Sequence, residues 1–269
     1  MTLFFIFIIG IFVGSFLNVL ADRLPREETI IKGRSHCEKC KKELAWYDLI
    51  PLLSFIILKG KCRYCRTPLS FYYPVVEIIT GLMFVITFLF TVNNFQFSIY
   101  NLHSIFNLQF TIYLIYYIFI VSSLIVVFLA DMKYGIIPDK IIFPAILMSG
   151  MYLFIIHNSL FMIHFLSGLG AGLFFLALFL ITKGRGMGFG DVKFAFLMGL
   201  ILGFPNIVVS LYIAFLTGAV IGIILILWRR KKIFGTTIPF GPFLVFGTFL
   251  ALFWGDPIFH YFLRLSGLN

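Results

Sequence analysis

The sequence has little charge for its size. Only 12% of its 269 residues are Asp, Glu, Lys or Arg, whereas 61% are hydrophobic. These are too few polar side chains to cover the surface of a water-soluble globule, so the composition excludes a soluble protein. Nearly uncharged runs of roughly 18 or more residues, long enough to cross about 30 Å of hydrocarbon as a helix, recur along the chain. The composition therefore predicts an all-α polytopic membrane protein.

Eight of these runs predict about eight transmembrane helices. The first run lacks a basic leading segment, and Arg23 and Arg26 follow it instead, so we interpret it as a membrane anchor rather than a cleaved signal. The sixth run is the shortest. The runs lie at about 3–20, 74–92, 110–130, 141–157, 159–182, 191–204, 206–228 and 239–255.

Lys and Arg are missing from every second connection between these runs. None lies near 93–109, 157–159 or 204–206, whereas the alternate connections hold 20 of the 21. Because positive residues near span ends remain in the cytoplasm, we predict that both termini lie outside and that the basic connections are cytoplasmic. The net charge of +10 is then mainly a signal of topology. No base-reading or stacking module accompanies it, which argues against a nucleic-acid partner. The basic connections are 21–73, 131–140, 183–193 and the Arg229–Lys232 run.

One segment differs from the rest of the chain in its charge density. We expect a first transmembrane span at 1–21, a cytoplasmic four-cysteine loop at 22–73 and a membrane-embedded core at 74–269. Within the core, glycines four residues apart, as in Gly168/Gly172 and Gly218/Gly222, predict points where two helix backbones approach closely.

The chain has only four cysteines, and all of them lie in this loop. Cys37 and Cys40 form one C-x-x-C pair, and Cys62 and Cys65 form a second, with 21 residues between the pairs. This spacing is close to that of two turns that fold around one tetrahedral zinc ion. Disulfides are disfavoured in the reducing cytoplasm, and four thiolate ligands leave no position for a catalytic water, so we predict a structural zinc site. The alternative is a bare redox pair, which the two-pair spacing disfavours, and His36 is interpreted as a solvated loop residue.

Acidic residues are also scarce, and four of the eleven fall at or near the predicted spans: Glu77, Asp131, Asp139 and Asp191. Buried carboxylates near a membrane are costly and are therefore functional suspects. Asp131 ends the third run and Asp191 begins the sixth, so both are expected at the same membrane depth. Two carboxylates that come together there would share one proton, and the ionised member could activate water while the protonated member polarises a carbonyl.

Simpler interpretations compete at each position. Asp191 follows Gly188-Phe189-Gly190 and could equally be a residue that favours the start of a helix. Asp139 follows Pro138 and is better explained as a residue in the first turn of the fourth predicted span. Glu77 could line a cleft or pair with a basic residue, and the sequence leaves both options open.

Seven ordered blocks along nearly the whole chain resemble the type IV prepilin peptidases, membrane proteases of the G-x-G-D aspartyl class. The glycines before Asp191 and the two C-x-x-C pairs are parts of this pattern. The G-x-G-D block extends to Lys193, and the four remaining blocks are Gly14–Val19 with Arg23–Pro25, Ser70–Pro74 with Glu77, Asp131–Asp139, and Pro239–Pro242.

The resemblance implies that Asp131 and Asp191 are a catalytic pair in an aspartyl protease core at 74–269. It implies cleavage of the short basic leader from type IV prepilins and pilin-like precursors at the cytoplasmic face of the bacterial inner membrane. It also implies that the loop containing Cys37, Cys40, Cys62 and Cys65 binds zinc. Many relatives then methylate the new N-terminus with S-adenosyl-L-methionine. Three alternatives stay open: a methyltransferase as the main activity, a membrane transporter, and a zinc-ribbon assembly scaffold without protease activity.

Overall fold

The structure is a computed structural model that describes residues 1–29, 35–37, 39–94, 108–156, 158–184, 186–229 and 239–265. Arg230–Lys232 and most of the predicted 93–109 connection lie outside these residues. The described residues form nine α-helices, a short 3-10 helix at Trp46–Leu49 and two isolated β-bridges in the cysteine loop. The α-helices are α1 (Thr2–Arg23), α2 (Leu53–Ile57), α3 (Tyr72–Asn94), α4 (Leu108–Tyr134), α5 (Asp139–Ile156), α6 (Asn158–Ile181), α7 (Phe189–Leu202), α8 (Asn206–Arg229) and α9 (Gly241–Leu265).

Each of the eight apolar runs coincides with a helix, which confirms the predicted all-α membrane fold. Among the described residues, seven helices are long and apolar enough to cross a membrane. The exception is α7, the run predicted to be shortest. It has 14 residues and extends about 21 Å, less than the roughly 30 Å hydrocarbon thickness. The last helix continues beyond the predicted end at 255 to Leu265 and is kinked at Trp254.

The chain divides into two compact units, Met1–Val126 and Val127–Asn269. In the first unit, α1 packs along α3 because small residues let their backbones approach. A Cβ atom on Gly10 would lie 2.7 Å from Gly81 Cα, and one on Gly14 would lie 3.0 Å from Glu77 Cα. Farther along α1, the Asn18 side-chain amide donates a 3.4 Å hydrogen bond to the carbonyl of Tyr73. These contacts fix the register of the two helices and bury Glu77.

In the second unit, α7 packs against α5, α6, α8 and α9. Its tightest contact is with α6, where a Cβ atom on Gly168 would lie 2.9 Å from the Phe196 carbonyl oxygen. This confirms the close approach predicted at Gly168. At the other predicted pair, Gly218 lies against two phenylalanine rings, whereas nothing lies within 4 Å of a Cβ atom on Gly222. A short helix enclosed by four others is buried by protein rather than by lipid, which explains how α7 can be shorter than the membrane is thick.

Candidate active site and metal centre

Asp131 lies in the last turn of α4 and is 5% exposed. The helix stops three residues later, and Gly135, at φ +66°, turns the chain away while its N–H bonds to the Asp131 carbonyl at 2.9 Å. The carboxylate of Asp131 lies against the backbone of Gly241, the first residue of α9, whose N–H interacts with it. A Cβ atom on Gly241 would lie 2.5 Å from Asp131 Oδ2. That oxygen is buried and accepts no hydrogen bond from the described residues.

Asp191 is the third residue of α7 and is 7% exposed. Its Oδ2 accepts a 3.2 Å hydrogen bond from the N–H of Gly188, and its own N–H donates to the Gly188 carbonyl at 3.2 Å. Asp191 therefore does stabilise the start of its helix. It also lies close enough to Asp131 for the two carboxylates to repel each other. The structure thus brings together the two aspartates that the sequence predicted as a pair.

A second contact fixes the segment between α4 and α5 against the start of α7. Ile137 packs on Gly190, where a Cβ atom would lie 3.1 Å from Ile137 Cβ. Beside it, Lys193 Nζ donates to both carboxylate oxygens of Asp139, at 2.7 and 2.8 Å. Asp139 is in the first turn of α5, as predicted. Its pairing with Lys193 neutralises it, whereas Asp131 and Asp191 have no basic partner among the described residues.

Two residues of this site were not identified from the sequence. Gly241 belongs to the Pro239–Pro242 block, but nothing local in that block indicates contact with Asp131. Lys193 follows Asp191 by two residues, and its partner Asp139 is distant in the chain. A tertiary contact of this kind leaves no spacing or periodicity that a single sequence can reveal.

The four cysteines lie together in the first unit. Their sulfur atoms are all within 4.8 Å of one another, and Cys37 Sγ lies 3.7 Å from Cys65 Sγ. Zinc–sulfur bonds of about 2.3 Å place the sulfurs of a tetrahedral centre about 3.7–3.8 Å apart, so the cluster fits a metal ion of that kind. Hydrogen bonding to the side chain of Thr67 lowers the pKa of Cys65 to about 6, whereas desolvation and the neighbouring cysteines raise the pKa of Cys40 to about 11. The thiolate form that metals bind is therefore favoured at Cys65 and not at Cys40 when no metal is bound. His36 is exposed, in line with the prediction that it is a solvated residue.

An ion pair connects the second cysteine turn to the segment between the two turns. Arg63, in the second turn, donates a 2.7 Å hydrogen bond to Asp48, which is 9% exposed. This bond raises the pKa of Arg63, whose guanidinium also stacks 4.8 Å from the ring centroid of Tyr47. The pair holds the segment between the cysteine turns against the second turn.

Glu77 is buried in α3, and its Oε2 accepts a 2.9 Å hydrogen bond from the backbone N–H of Leu52. Its carboxylate also interacts with the Ser15 side chain of α1. Among the described residues no basic side chain pairs with this carboxylate, which argues against one of the two options that the sequence left open. The carboxylate instead binds the backbone of the cysteine loop.

Two family models match the chain. The bacterial peptidase A24 N-terminal domain matches residues 8–91, and the type IV leader peptidase family matches residues 118–223. No solved structure matches the chain.

Curated relatives named prepilin leader peptidase/N-methyltransferase cover almost all of it. The protein from Bacillus subtilis is 30% identical over 97% of this chain and 98% of its own length. The protein from Pseudomonas aeruginosa is 27% identical over 97% and 93%. A protein from Myxococcus xanthus is 50% identical over a shorter stretch, 30% of this chain and 24% of its own length. The near-complete coverage of the Bacillus protein, together with the two models, shows that the chain belongs to the type IV leader peptidase family.

Proposed function

We propose that this protein is a membrane aspartic endopeptidase that removes the short basic leader from type IV prepilins and pilin-like precursors, with Asp131 and Asp191 as its acid–base pair. The observation that carries the proposal is the pair of carboxylates, both more than nine-tenths buried and close enough to repel each other. Neither has a basic partner among its described contacts. Two such groups are most easily accommodated when they share one proton.

With one shared proton, the pair can act as a general base and as a general acid in the same reaction. The ionised carboxylate takes a proton from water as the water oxygen attacks the scissile carbonyl carbon, and the protonated carboxyl donates its proton to the carbonyl oxygen. When the tetrahedral intermediate collapses, the carbon–nitrogen bond breaks, the leaving amine takes up a proton from the dyad, and a hydroxyl group of the intermediate returns one proton to the dyad as the new carboxyl group forms. Asp131 Oδ2 is buried and lacks a hydrogen-bond donor among the described residues, which makes it available to a water molecule or to the substrate.

The position of the pair in its helices suits a precursor held in the bilayer. Asp131 is in the last turn of α4 and Asp191 in the first turn of α7, and Lys133 and Lys193 are two residues from them. By the positive-inside rule these helix ends face the cytoplasm, and we place the protein in the inner, cytoplasmic membrane of a bacterium. A basic leader stays on the same side for the same reason, while the apolar helix of the precursor lies in the lipid. The bond between them then arrives at the depth of the two aspartates.

We further propose that the cysteine cluster holds a structural zinc ion. Four thiolates fill a tetrahedral site and leave no ligand position for water, so the ion would stabilise the loop without taking part in cleavage. In functional terms the chain then divides into a first span at 1–21, a zinc loop at 22–73 and a protease core at 74–269.

The names of these relatives include a second activity, that of an N-methyltransferase. Because the Bacillus protein is matched along almost its whole length, we extend N-methyltransferase activity to this chain as a second proposal, with S-adenosyl-L-methionine as methyl donor and the new N-terminus as acceptor. Mass spectrometry of the cleaved precursor tests it, because methylation adds about 14 Da only when the donor is present. An unmodified N-terminus in the presence of donor would contradict it.

The protease proposal is tested with purified wild type, Asp131→Asn and Asp191→Asn, with leader removal from a prepilin followed by gel shift and N-terminal mass. Asparagine keeps the size of aspartate and removes its ionisation, so each variant is expected to lose cleavage by about 10³-fold or more. Asp256→Asn is the matched control, because Asp256 is exposed and lies in α9 about 22 Å along the helix from Gly241.

Cleavage by the wild type and by Asp256→Asn, with loss in the other two variants, supports the dyad. Wild-type cleavage by either dyad variant removes that aspartate from the mechanism. A folded wild type that leaves every prepilin intact would favour a transporter or a zinc-ribbon scaffold instead.

A further inference from the structure

An uncharged apolar segment lies between the two cysteine turns, in the part of the chain that is otherwise rich in charge. It runs from Leu49 to Leu58 without a charged residue, and only Pro51 and Ser54 interrupt its apolar character. Ten residues are too few to cross a membrane. Apolar stretches of about this length are typical of a buried core helix or of a segment that lies in the membrane interface.

The structure does not bury this segment as a core helix. The short helix α2 at its centre leaves Ile56 69% exposed and Ile57 64% exposed, and Leu53 is 51% exposed. The adjacent Trp46 is 77% exposed. A cluster of large apolar side chains facing water would be unfavourable, and such clusters mark surfaces that bind a membrane or another protein.

Two contacts attach the segment to α3, one of the helices long and apolar enough to span the membrane. The N–H of Leu52 binds the Glu77 carboxylate, and the ring of Phe55 packs on that of Phe71 with centroids 5.1 Å apart. Phe71 immediately precedes α3, and Glu77 is its sixth residue, about 7–8 Å along the helix from Tyr72. The apolar segment therefore lies beside the first turns of α3, at the depth where that helix enters the bilayer.

The backbone at this point requires the Glu77 contact. Leu52 has φ 58° and precedes α2, so its N–H lies outside the helical hydrogen-bond pattern. A backbone N–H carried into lipid without a partner is strongly unfavourable, and irregular backbone at membrane depth persists only where protein groups bind it. The Glu77 carboxylate provides that group. This accounts for a buried acid that the proposed cleavage chemistry does not use.

The charges around the segment suit the lipid headgroups. Lys59, Lys61 and Arg63 follow its C-terminal end, and Lys39, Lys41 and Lys42 lie in the first cysteine turn. Basic residues beside an inserted apolar helix bind anionic phospholipids, and tryptophan prefers the interface between headgroups and acyl chains.

From these contacts we propose that residues 49–58 form an interfacial membrane anchor. The exposed side chains of α2 insert into the cytoplasmic leaflet of an anionic phospholipid bilayer, the flanking lysines bind its headgroups, and Glu77 fixes the anchor to α3. The cysteine loop is thereby held against the membrane surface rather than free in the cytoplasm. The inference depends on the membrane-spanning helices of the fold and not on the protease proposal.

Tryptophan quenching in lipid nanodiscs tests the anchor on the full chain. The three native tryptophans at 46, 228 and 254 are replaced by phenylalanine, and Ile56→Trp introduces a single fluorescent reporter. The variant is then reconstituted into nanodiscs of phosphatidylglycerol and brominated phosphatidylcholine. Lipid brominated near the headgroup is expected to quench this reporter strongly, and aqueous iodide to quench it weakly. Tyr64→Trp in the same background is the control, because Tyr64 is an exposed residue of the second cysteine turn outside the segment. It is expected to be quenched more strongly by iodide, and more weakly by the brominated lipid, than the reporter at position 56.

Strong iodide quenching at position 56 would show that the segment faces water and would overturn the proposal. Protection from both quenchers would show that protein covers the segment, which overturns it equally. Loss of bromine quenching after addition of a prepilin would assign the surface to the substrate helix instead.

The role of Glu77 is tested in the same reporter background. Glu77→Gln keeps an oxygen that accepts the Leu52 N–H, whereas Glu77→Leu removes the acceptor at similar size. Bromine quenching at position 56 should be retained in the first variant and reduced severalfold in the second, with unchanged metal content as a check on folding. Equal quenching in both would refute the anchoring role of Glu77.

Discussion

Replacing Gly241 by alanine should disable the protein without unfolding it. Gly241 is the first residue of α9, and its backbone lies against the Asp131 carboxylate. The new Cβ atom would lie 2.5 Å from Oδ2 and 2.9 Å from Cγ of that carboxylate. Gly241 is not among the residues with positive φ, so alanine is compatible with its backbone. The three atoms nearest to the new Cβ all belong to the Asp131 side chain, so the main conflict is with that side chain.

The size of the effect follows from the displacement. Ordinary contacts between nonbonded heavy atoms are about 3.5 Å, so the carboxylate must move by about 1 Å. Because Asp131 is in the last turn of α4, beside Gly135, this movement can be absorbed locally. A misplacement of about 1 Å in a catalytic group lowers the rate by about 100-fold, or about 2.7 kcal/mol in activation free energy. We therefore expect Gly241→Ala to cleave a prepilin about 100-fold more slowly than the wild type.

Gly170→Ala is the matched control. It adds the same methyl group to a helix of the same unit, and nothing lies within 4 Å of the position that its Cβ would take. Both variants are purified in detergent, compared by circular dichroism and thermal unfolding, and assayed for leader removal under single-turnover conditions. If folded Gly241→Ala cleaves as fast as Gly170→Ala and the wild type, the carboxylate of Asp131 does not need its observed position, and our assignment of it to catalysis fails.

Two further sets of variants test other parts of the structure. Lys193→Met and Asp139→Asn should each lower the cleavage rate about tenfold, because their ion pair holds the segment before α5 against the start of α7. The double variant should be no slower than either single variant, whereas losses of rate that multiply would show that the two residues act separately. We expect elemental analysis of the wild type to give roughly one zinc ion per chain. Cys62→Ser should abolish this zinc binding and increase proteolytic cleavage between residues 35 and 69. A variant that keeps both its metal and its protease resistance would contradict ligation by this cysteine.

Hydropathy and charge were sufficient to predict most of the fold, because lipid imposes a strong constraint on composition. Each predicted span overlaps a helix of the structure, with boundaries that differ mainly where a helix extends beyond the membrane-length run, as in α9. The segment around α2 was not predicted, since a ten-residue apolar run is too short to register as a span. Its position depends on the contact with Glu77, whose partner is a backbone N–H, and backbone groups leave no trace in a residue pattern.

The candidate site shows the same limit. Asp131 and Asp191 were identified as a pair from their place at span ends, and the cysteine cluster from its spacing. For Asp191 we predicted helix stabilisation and pairing as alternatives, but the structure contains both, since the Gly188 N–H binds one carboxylate oxygen while Asp131 lies nearby. The contacts of Gly241 and Lys193 required the packing of helices that are far apart in the chain. Their catalytic importance stays a prediction until the variants are measured.

Three acidic residues of the long helices and α7 are at least nine-tenths buried, namely Glu77, Asp131 and Asp191. They share one feature that bears on function. Each interacts with a backbone N–H from a neighbouring turn: Glu77 with Leu52, Asp191 with Gly188, and Asp131 with Gly241. Backbone N–H groups at turns and helix starts are fixed dipoles, so they orient a carboxylate without adding a countercharge. A lysine in the same place would neutralise the acid, as Lys193 does for Asp139. Orientation by the backbone therefore leaves Asp131 and Asp191 held in position and still able to exchange a proton, which is the condition that a two-carboxylate peptidase requires.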